Sequence, residues 1–338
     1  MEKFKLFFSY VILLLVTVLT IQTGQTQNKY NQQAGTLNWY KGNTHTHTLN
    51  SDGDSFPDDV VKWYRLHGYN FLVITDHNFL TEVDELNKIY GADEQYLIIQ
   101  GDEVSDEFNK RPIHLNAINP KYNILPQGGK NTLETLQNNI NAIRKASGLV
   151  HINHPNFGWA ISADTLKLVK NCNLFEIYSG HPIINNYGGG GKPSVEQIWD
   201  EVLASGKLMY GVAVDDMHEL KEPWEPKAAK PGQGWVMVRA KQLTVEAILK
   251  SLKKGNFYSS TGIELLDYEA NKKNIKITYK EEGHAKYTVL FIGKGGKVLT
   301  EEYSNPAIYN FQGNEKYVRA KIFDSNGNMA WTQPVFGE

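Results

Sequence analysis

The sequence predicts an α/β fold with a largely parallel sheet, followed by a small antiparallel β-domain. Its 338 residues suffice for one large domain, or for a large domain plus a small one. From residue 37 onward, short apolar β-rich runs alternate with helix-like stretches, which is the pattern of α/β proteins. Near residue 264 this pattern gives way to the short alternating runs of hairpins. We therefore expect a large domain at residues 37–263 and a β-sandwich-like module at residues 264–338.

The first 27 residues are predicted to be a signal peptide. Lys3 and Lys5 precede an apolar run at residues 7–21, and a polar stretch follows at residues 22–27. This order is typical of secretory leaders, and the apolar run is short for a membrane span of about 20 residues. We expect an exported protein, periplasmic or secreted, without stable membrane insertion after the leader is cleaved. Retention of the leader as an anchor is the alternative.

Eight strands and six helices are predicted in the larger domain. The strand candidates are residues 43–47, 71–75, 96–100, 114–118, 149–152, 174–178, 207–213 and 235–239. The amphipathic helix candidates between them are residues 57–67, 80–90, 132–146, 163–170, 194–204 and 244–254. In the module, alternating runs at residues 275–279, 287–292 and 317–323 are accompanied by glycine turns at residues 295–296 and 326–327. Strands that alternate with helices in this number indicate a barrel, regular or distorted.

Composition restricts the kinds of site that the chain can form. The formal net charge is −2 and no Lys/Arg-rich run occurs, so bulk binding of nucleic acid is not expected. Cys172 is the single cysteine, which excludes an intrachain disulfide and a thiolate metal cluster. We interpret it as a small buried apolar residue. Any metal would have to bind to histidines and carboxylates.

A pair of histidines opens the predicted site. His45 and His47 are two residues apart, and the period of a strand would place both imidazoles on one face. Asp52 follows in Ser51-Asp52-Gly53, on a loop that the glycine allows to turn back. Alone, a His-x-His pattern is more often incidental than functional.

Ionisable residues recur where the predicted strands begin or end. Asp76 and His77, then Glu103, then His154 each follow a strand candidate; His114 opens one, and Asp215, Asp216 and His218 follow another. Barrel active sites lie at the carboxyl ends of strands. Each histidine taken singly could be a core or turn residue, and we interpret His67 and His284 as structural. The joint placement of so many costly polar groups favours a metal site with mixed nitrogen and oxygen ligands.

In this order and spacing the motifs resemble those of the polymerase and histidinol phosphatase (PHP) family of metallohydrolases. The motifs are His45-x-His47, Ser51-Asp52-Gly53, Thr75-Asp76-His77, Gly101-Asp102-Glu103, His114, Asn153-His154-Pro155 and Asp216-Met217-His218. The series is most similar to the exported branch named for carbaryl hydrolases, the CehA/McbA-like proteins. Residues near the C-terminus, from Tyr317 to Pro334, resemble the β-module of that branch. The resemblance implies a distorted (β/α)7 barrel that holds two or three divalent ions of zinc, manganese or iron.

The resemblance also implies a distribution of ligands. The first metal would be bound by His45, His47, Glu103 and Asp216, with Glu103 bridging to a second metal bound by His114 and His154. The third would be bound by Asp52, His77 and His218. At the last motif Asp216 is preferred over Asp215, because family members carry Asp-x-His there.

Candidate catalytic and substrate-binding residues follow from sequence position. His151, His181 and Asp76 are the candidate general acids for the leaving group. Arg111, close before His114, is the candidate phosphate-binding residue, and a solvent-facing loop position is equally compatible with it. Tyr178 could line the substrate pocket.

The predicted function is metal-dependent hydrolysis of a small-molecule substrate. A metal-bound hydroxide would attack, and a phosphoester of a small compound or nucleotide is favoured because several metals suit an anionic phosphate. The absence of a Gly-x-Ser-x-Gly elbow agrees with this chemistry. The first alternative is carbamate, ester or amide hydrolysis at a site of the same type. The second is a non-catalytic surface- or carbohydrate-binding protein, against which the full ligand set argues.

Overall fold

A large mixed sheet contains most strands of the computed structural model, which describes residues 37–337. The predicted signal peptide lies outside the described residues. Within them, no helix is both long enough and apolar enough to cross a membrane. The protein has an α/β fold, as predicted, but the sheet is mixed rather than largely parallel.

The first nine strands form the part of the sheet that carries the candidate site. They are β1 (Asn38–Asn43), β2 (Phe71–Ile74), β3 (Leu97–Phe108), β4 (Arg111–Ile118), β5 (Leu149–Ile152), β6 (Leu174–Ser179), β7 (Tyr210–Val214), β8 (Trp235–Ala240) and β9 (Phe257–Ser260). Their order in the sheet is β9-β8-β1-β2-β3-β4-β5-β6-β7. Strand β4 is antiparallel to both of its neighbours, and β8 is antiparallel to β1 and β9. Because β3 and β4 are joined by a hairpin, no helix could make a parallel crossover there.

All six predicted helices are present, and local sequence explains where they begin and end. They are α1 (Pro57–Leu66), α2 (Asp84–Tyr90), α3 (Thr132–Lys145), α4 (Ala163–Leu168), α5 (Val195–Ala204) and α6 (Val245–Lys254). Pro57 starts α1 at a position where the missing N–H costs nothing. Ser194 and Gln197 form a capping box at the start of α5, and Gly255 ends α6 in the left-handed region.

One buried apolar cluster joins all of the strands from β1 to β8. Each of these strands contributes at least one side chain, among them Tyr40, Phe71, Ile99 and Val212. Helix α6 packs against the same cluster through residues that include Ile248. A second cluster packs α3, α4 and α5 against β4, β5 and β6. The strands therefore share one apolar core, and most residues of the polar site described below follow the ends of β1, β2, β5 and β7.

Side chains complete the hydrogen bonding of β7 at the edge of the sheet. The hydroxyl of Ser259 accepts from Ala213 N (3.0 Å) and donates to Gly211 O (2.9 Å). The amide of Gln333 accepts from Gly211 N and donates to Gly211 O, both at 2.9 Å. These bonds satisfy backbone groups that would otherwise be buried without partners. We call this junction the β7 seam.

The remaining strands are antiparallel, and five of the eight continue the large sheet. They are β10 (Leu265–Ala270), β11 (Asn274–Tyr279), β12 (Tyr287–Gly293), β13 (Lys297–Glu302), β14 (Ala307–Asn310), β15 (Tyr317–Asp324), β16 (Met329–Thr332) and β17 (Val335–Phe336). Strand β16 pairs with β9, which links β15, β12 and β13 to the large sheet. Strands β10, β11 and β14 form a separate three-stranded sheet, and residues of both sheets enclose one core that includes Ile277 and Phe291.

A buried ion pair attaches these C-terminal strands to helix α5. The guanidinium of Arg319 on β15 donates two hydrogen bonds to Asp200, at 2.8 and 2.7 Å. Tyr317 donates a third to the same carboxylate at 2.8 Å. Glu196 lies 3.4 Å from Arg319 and also bonds to Lys321. A bidentate pair with this many additional bonds satisfies charges that would be costly to bury alone.

Candidate metal centre

The segment after β1 leaves the sheet ladder and is held by both side-chain and backbone hydrogen bonds. Predicted strand 43–47 is displaced, since β1 ends at Asn43 and the two histidines lie beyond it. The amide of Asn43 accepts from His45 N at 2.9 Å, and Thr75 accepts from Thr46 N at 3.0 Å. Thr46 O accepts from Thr75 N, and His47 N donates to Met217 O, both at 2.9 Å, so side chains and backbone together fix both histidines in place.

Glu103 lies at the centre of the cluster. Its Oε2 is 3.3 Å from His45 Nε2, 3.2 Å from His47 Nε2 and 2.9 Å from His77 Nδ1. Its Oε1 is 3.1 Å from His114 Nδ1 and 3.4 Å from His154 Nε2. One fully buried carboxylate thus faces five imidazoles, which come from the loops after β1, β2 and β5 and from β4.

Asp216, rather than Asp215, faces this cluster. Asp216 Oδ1 is 3.1 Å from His45 Nε2 and 3.3 Å from His47 Nε2. Its backbone adopts a left-handed φ of 53° and donates to His45 O at 3.1 Å. Asp215 accepts instead from the backbone of residues 232–234 and from Tyr64. With this left-handed backbone conformation, the side chains of Asp215 and Asp216 face different partners.

A third set of groups lies at the open side of the cluster. Asp52 Oδ2 is 3.4 Å from His77 Nε2, and Asp52 Oδ1 is 3.3 Å from His218 Nε2. The Asp52 side chain is 55 % exposed, whereas Glu103 is buried. Candidate ligand atoms of Asp52, His77, His218 and His47 all lie within 4.8 Å of one another.

Hydrogen bonds at Nδ1 orient three of the histidines. His45 Nδ1 lies 2.6 Å from Glu176 Oε1, and His218 Nδ1 lies 2.9 Å from the carbonyl oxygen of Asp216. His77 Nδ1 lies 2.5 Å from Ser105 Oγ, which donates its own proton to a backbone carbonyl. These partners accept hydrogen bonds, so each ring donates from Nδ1 and turns Nε2 toward the carboxylates of the cluster.

The donor set fits divalent metal ions. Four ligand atoms, His45 Nε2, His47 Nε2, Glu103 Oε2 and His114 Nδ1, are buried without a hydrogen-bond partner among residues 37–337. Unpaired buried polar atoms are costly, and a cation would satisfy all four. Mixed nitrogen and oxygen ligands suit zinc, manganese and iron. Four overlapping groups of three or more ligands occur in the cluster.

The pKa shifts within the cluster also indicate a site that favours positive charge. Burial alone lowers the pKa of His45, but Asp216 and Glu103 raise that pKa well above its usual value. Burial likewise opposes the shift at His77, where Glu103 and Asp52 raise the pKa to about 10. Burial would raise the pKa of Glu103, yet His77 and His45 hold it well below its usual range. The carboxylates therefore attract protons onto the rings when no metal cation supplies the charge.

The three candidate general acids differ in burial and in hydrogen-bond partners. His181 is half-buried and lies beside His218, with ring centroids 5.1 Å apart. His151 is fully buried, 3.9 Å from Glu176, and both ring nitrogens lack hydrogen-bond partners within the described chain. Asp76 accepts hydrogen bonds from Thr48, Ser51 and Thr81, and so holds the loop that carries Asp52. Of the three, only His181 is brought to an open side of the cluster.

The two candidate substrate-binding residues lie apart from the metal ligands. Arg111 begins β4 with an exposed side chain, and the ring of Tyr178 packs 5.8 Å from that of Trp331. A cleft of about 340 Å³ does open beside His114, and Lys110 and Phe157 line it. Lys110, rather than Arg111, is therefore the basic residue beside the site.

Sequence reasoning did not identify Glu176 and Ser105 as part of the site. Glu176 is a buried acid within the apolar strand β6 (Leu-Phe-Glu-Ile-Tyr-Ser), and this unusual position was the readable signal. Ser105 had no comparable signal, because a serine two residues after Glu103 on a strand is unremarkable.

Comparison with known proteins shows a shared fold. No protein-family model and no curated protein matches the chain. A two-domain protein of Bacteroides vulgatus, described as containing a predicted PHP-like metal-dependent phosphoesterase, is similar over 88 % of this chain and 96 % of its own, with 13 % identity and a TM-score of 0.50. A Bifidobacterium adolescentis protein provisionally described as a metal-dependent phosphoesterase is similar over 52 % of this chain and 87 % of its own (14 % identity, TM-score 0.40). A Chromobacterium violaceum amidohydrolase is similar over 56 % and 89 % respectively (13 % identity, TM-score 0.39).

Proposed function

We propose that this chain is an exported metal-dependent hydrolase of the PHP superfamily, with phosphoesters as its preferred substrates. The observation that carries the proposal is Glu103, a buried carboxylate that faces five histidines whose ligand atoms are largely unpaired. A distorted (β/α)7 barrel and membership of the CehA/McbA-like branch are part of the same proposal. The cluster that joins strands β1–β8 and the order of the sequence motifs support them.

Three metal positions are proposed around the buried carboxylates. The first is bound by His45, His47, Glu103 and Asp216, and the second by Glu103, His114 and His154. The third is bound by Asp52, His77 and His218. The distances of 3.1–3.4 Å that join facing ligand atoms support these groupings. Bound divalent ions would acidify a water molecule and polarise the bond to be cleaved.

The balance of charge supports an anionic substrate. Three divalent cations among the carboxylates of Asp52, Glu103 and Asp216 would leave the site positively charged, and Glu176 would offset this only in part. Lys110 lies at the cleft beside His114, where the carboxylates of Asp106 and Glu107 also lie, so the net positive charge would come from the metal ions. A phosphate group would compensate this charge, whereas a neutral ester or carbamate would not.

His181 is the residue proposed to assist the leaving group. The backbone N–H of Ile183 donates to His181 Nδ1 at 3.3 Å, so the neutral ring carries its proton on Nε2. Burial lowers the pKa of His181 to about 4, which keeps the ring neutral near pH 7. The Nε2–H can then donate a hydrogen bond to an oxygen of the substrate.

The proposal is tested by metal analysis and turnover on the same sample of the full chain. We expect two or three zinc, manganese or iron ions per chain, and hydrolysis of p-nitrophenyl phosphate or bis(p-nitrophenyl) phosphate that a chelator abolishes and added metal restores. Glu103→Gln should remain folded and lose turnover by at least about 10³-fold, since it removes a shared ligand.

The other outcomes separate the alternatives. Turnover of p-nitrophenyl acetate without turnover of either phosphoester would replace the phosphoesterase by a carboxyl-ester or carbamate hydrolase. Neither metal nor turnover, after supply of zinc, manganese and iron in turn, would refute the enzyme and leave a binding role.

A further inference from the structure

Glu176 connects two histidines that belong to different metal positions. It lies in the middle of β6, fully enclosed, and both of its carboxylate oxygens are used. Oε1 accepts from His45 Nδ1 at 2.6 Å, and Oε2 accepts from the backbone N–H of His154 at 2.7 Å. His45 follows β1 and His154 follows β5, so one side chain fixes parts of the site that are far apart along the chain.

We propose that Glu176 is a positioning residue that couples the loading of the first and second metal positions, an inference that rests on the proposed metal site. It selects the tautomer of His45, which serves the first position. It also fixes the backbone from which the His154 ring extends toward the second. A change at Glu176 therefore affects both positions together and leaves the third intact.

The tautomer of His45 depends on this carboxylate. An ionised carboxylate can only accept, so the proton of the neutral ring is kept on Nδ1. The Nε2 lone pair then faces Glu103 Oε2 and Asp216 Oδ1, at 3.3 and 3.1 Å, where a cation would bind. Partners of this kind fix ring orientation, and their loss typically weakens metal binding about 10–100-fold.

Glutamine cannot replace Glu176 in both contacts. His154 N always donates, so it requires the single oxygen of the amide. The amide NH2 then faces His45 Nδ1 and donates to it, which moves the ring proton to Nε2 and blocks metal binding there. If the amide is reversed, its NH2 opposes the N–H of His154 and two buried donors face each other. Either orientation damages the site while the shape of the side chain is preserved.

Among the described residues, no hydrogen bond or ion pair joins Glu176 to the two histidines of the third metal position. The Nδ1 atoms of its two histidines donate to Ser105 Oγ and to the carbonyl oxygen of Asp216. Ser105 is thus the counterpart of Glu176 at this position, and Ser105→Ala is a matched control. It removes an acceptor from His77, whose Nδ1 also lies 2.9 Å from Glu103 Oε2, and it leaves both hydrogen bonds of Glu176 in place.

The experiment compares Glu176→Gln, Ser105→Ala and the unmodified full chain at a series of buffered free zinc concentrations. Bound zinc per chain is measured, and the absorption of cobalt-loaded samples reports the ligand geometry of the occupied positions. For Glu176→Gln we expect two positions to weaken together by about 10–100-fold while one keeps its affinity. For Ser105→Ala we expect the reverse, with one position weakened and two retained.

Two results would overturn the inference and leave the proposed function standing. One is normal loading of all positions in Glu176→Gln; the other is loss of a single position in that variant. A wild-type chain that binds no metal would overturn both. If Glu176→Gln does not fold, nitrogen-15 NMR of the wild-type His45 ring, assigned by loss of its signal in His45→Gln, gives the answer. The spectrum is recorded at a pH where the metal-free ring is neutral: a proton on Nδ1 supports the inference, and a proton only on Nε2 overturns it.

Discussion

At the scale of single residues, exposure to solvent distinguishes two histidines whose pKa values are similar. Burial lowers the pKa of both His151 and His181 to about 4. His151 is fully enclosed behind Glu176, whereas His181 is half-exposed and lies beside a candidate metal ligand. Both rings are neutral near pH 7, but only His181 can meet a substrate.

Replacing His181 should therefore slow turnover without removing metal. We expect His181→Gln to lower kcat by about 10²–10³-fold, the usual effect of removing one hydrogen-bond donor to developing negative charge, while elemental analysis shows unchanged metal content. His67→Gln is the control, because His67 stacks on Trp63 at the end of α1 and should leave kcat unchanged. Full turnover in His181→Gln would exclude His181 from the reaction.

A pair of adjacent basic residues allows a sharp test of substrate binding. Lys110 lies at the tip of the β3–β4 hairpin with a left-handed φ of 61° and lines the cleft beside His114, while Arg111 begins β4. We expect Lys110→Gln to raise KM for a phosphomonoester about 10-fold, consistent with loss of one charged hydrogen bond. Arg111→Gln should change KM less than about twofold. Equal effects in steady-state kinetics would show that the cleft does not bind the phosphate.

At the scale of elements, the sequence predicted which segments carry the site better than it predicted where their strands end. All six helices and all eight strands overlap their predicted positions, the first strand at Asn43 alone, because apolar periodicity and capping residues are local signals. The first strand is displaced toward the N-terminus. Beyond Asn43 the segment is held by the side chains of Asn43 and Thr75 together with isolated backbone bonds, and periodicity carries no information about such partners.

Strand β1 packs closely against β2 at Gly42, just before the first histidines. A methyl group at Gly42 would overlap the ring of Phe71, which packs over its Cα. We expect Gly42→Ala to cost about 1–3 kcal/mol in urea unfolding and to weaken metal binding, since the strand must move. Phe71→Leu provides space, so the double variant should be more stable than the sum of the single effects. Additive effects would show that the ring is not the obstacle.

At the scale of the whole molecule, charge pairing between α5 and β15 should make stability depend on pH. Burial alone would raise the pKa of Glu196, but Arg319 and Lys321 hold the pKa of this carboxyl below its usual value of 4.5. A depressed pKa in the folded state stabilises the protein above pH 4.5, and this stabilisation is lost as pH falls through the folded-state pKa.

We expect Glu196→Gln to be about 1–3 kcal/mol less stable than the wild type at pH 7, with the difference shrinking as pH falls below about 4.5. Urea unfolding across pH measures it, and the metal site common to both proteins cancels. Glu85→Gln breaks an exposed pair with Lys88 and should have little effect at any pH. A difference that persists unchanged at pH 3 would contradict the assignment.

The sequence could not predict how the last strands join the first. Hairpin runs in the C-terminal region were readable, and β11, β12 and β15 lie where the alternation placed them. Pairing of β16 with β9 joins residues about seventy positions apart, and no local pattern specifies such a partner. The same holds for Glu176, whose importance depends on two histidines brought to it from other strands.

The β7 seam depends on Gln333, a residue that the ribosome adds late in synthesis. Gly211 precedes Gln333 by 122 residues, so a ribosome has already made every proposed metal ligand when the edge of β7 still lacks its amide partner. The nascent chain therefore contains all of the proposed metal ligands before the last residues of its sheet have been made. A chain truncated shortly before Gln333 would contain every proposed metal ligand but would lack the amide side chain that bonds to Gly211 on β7.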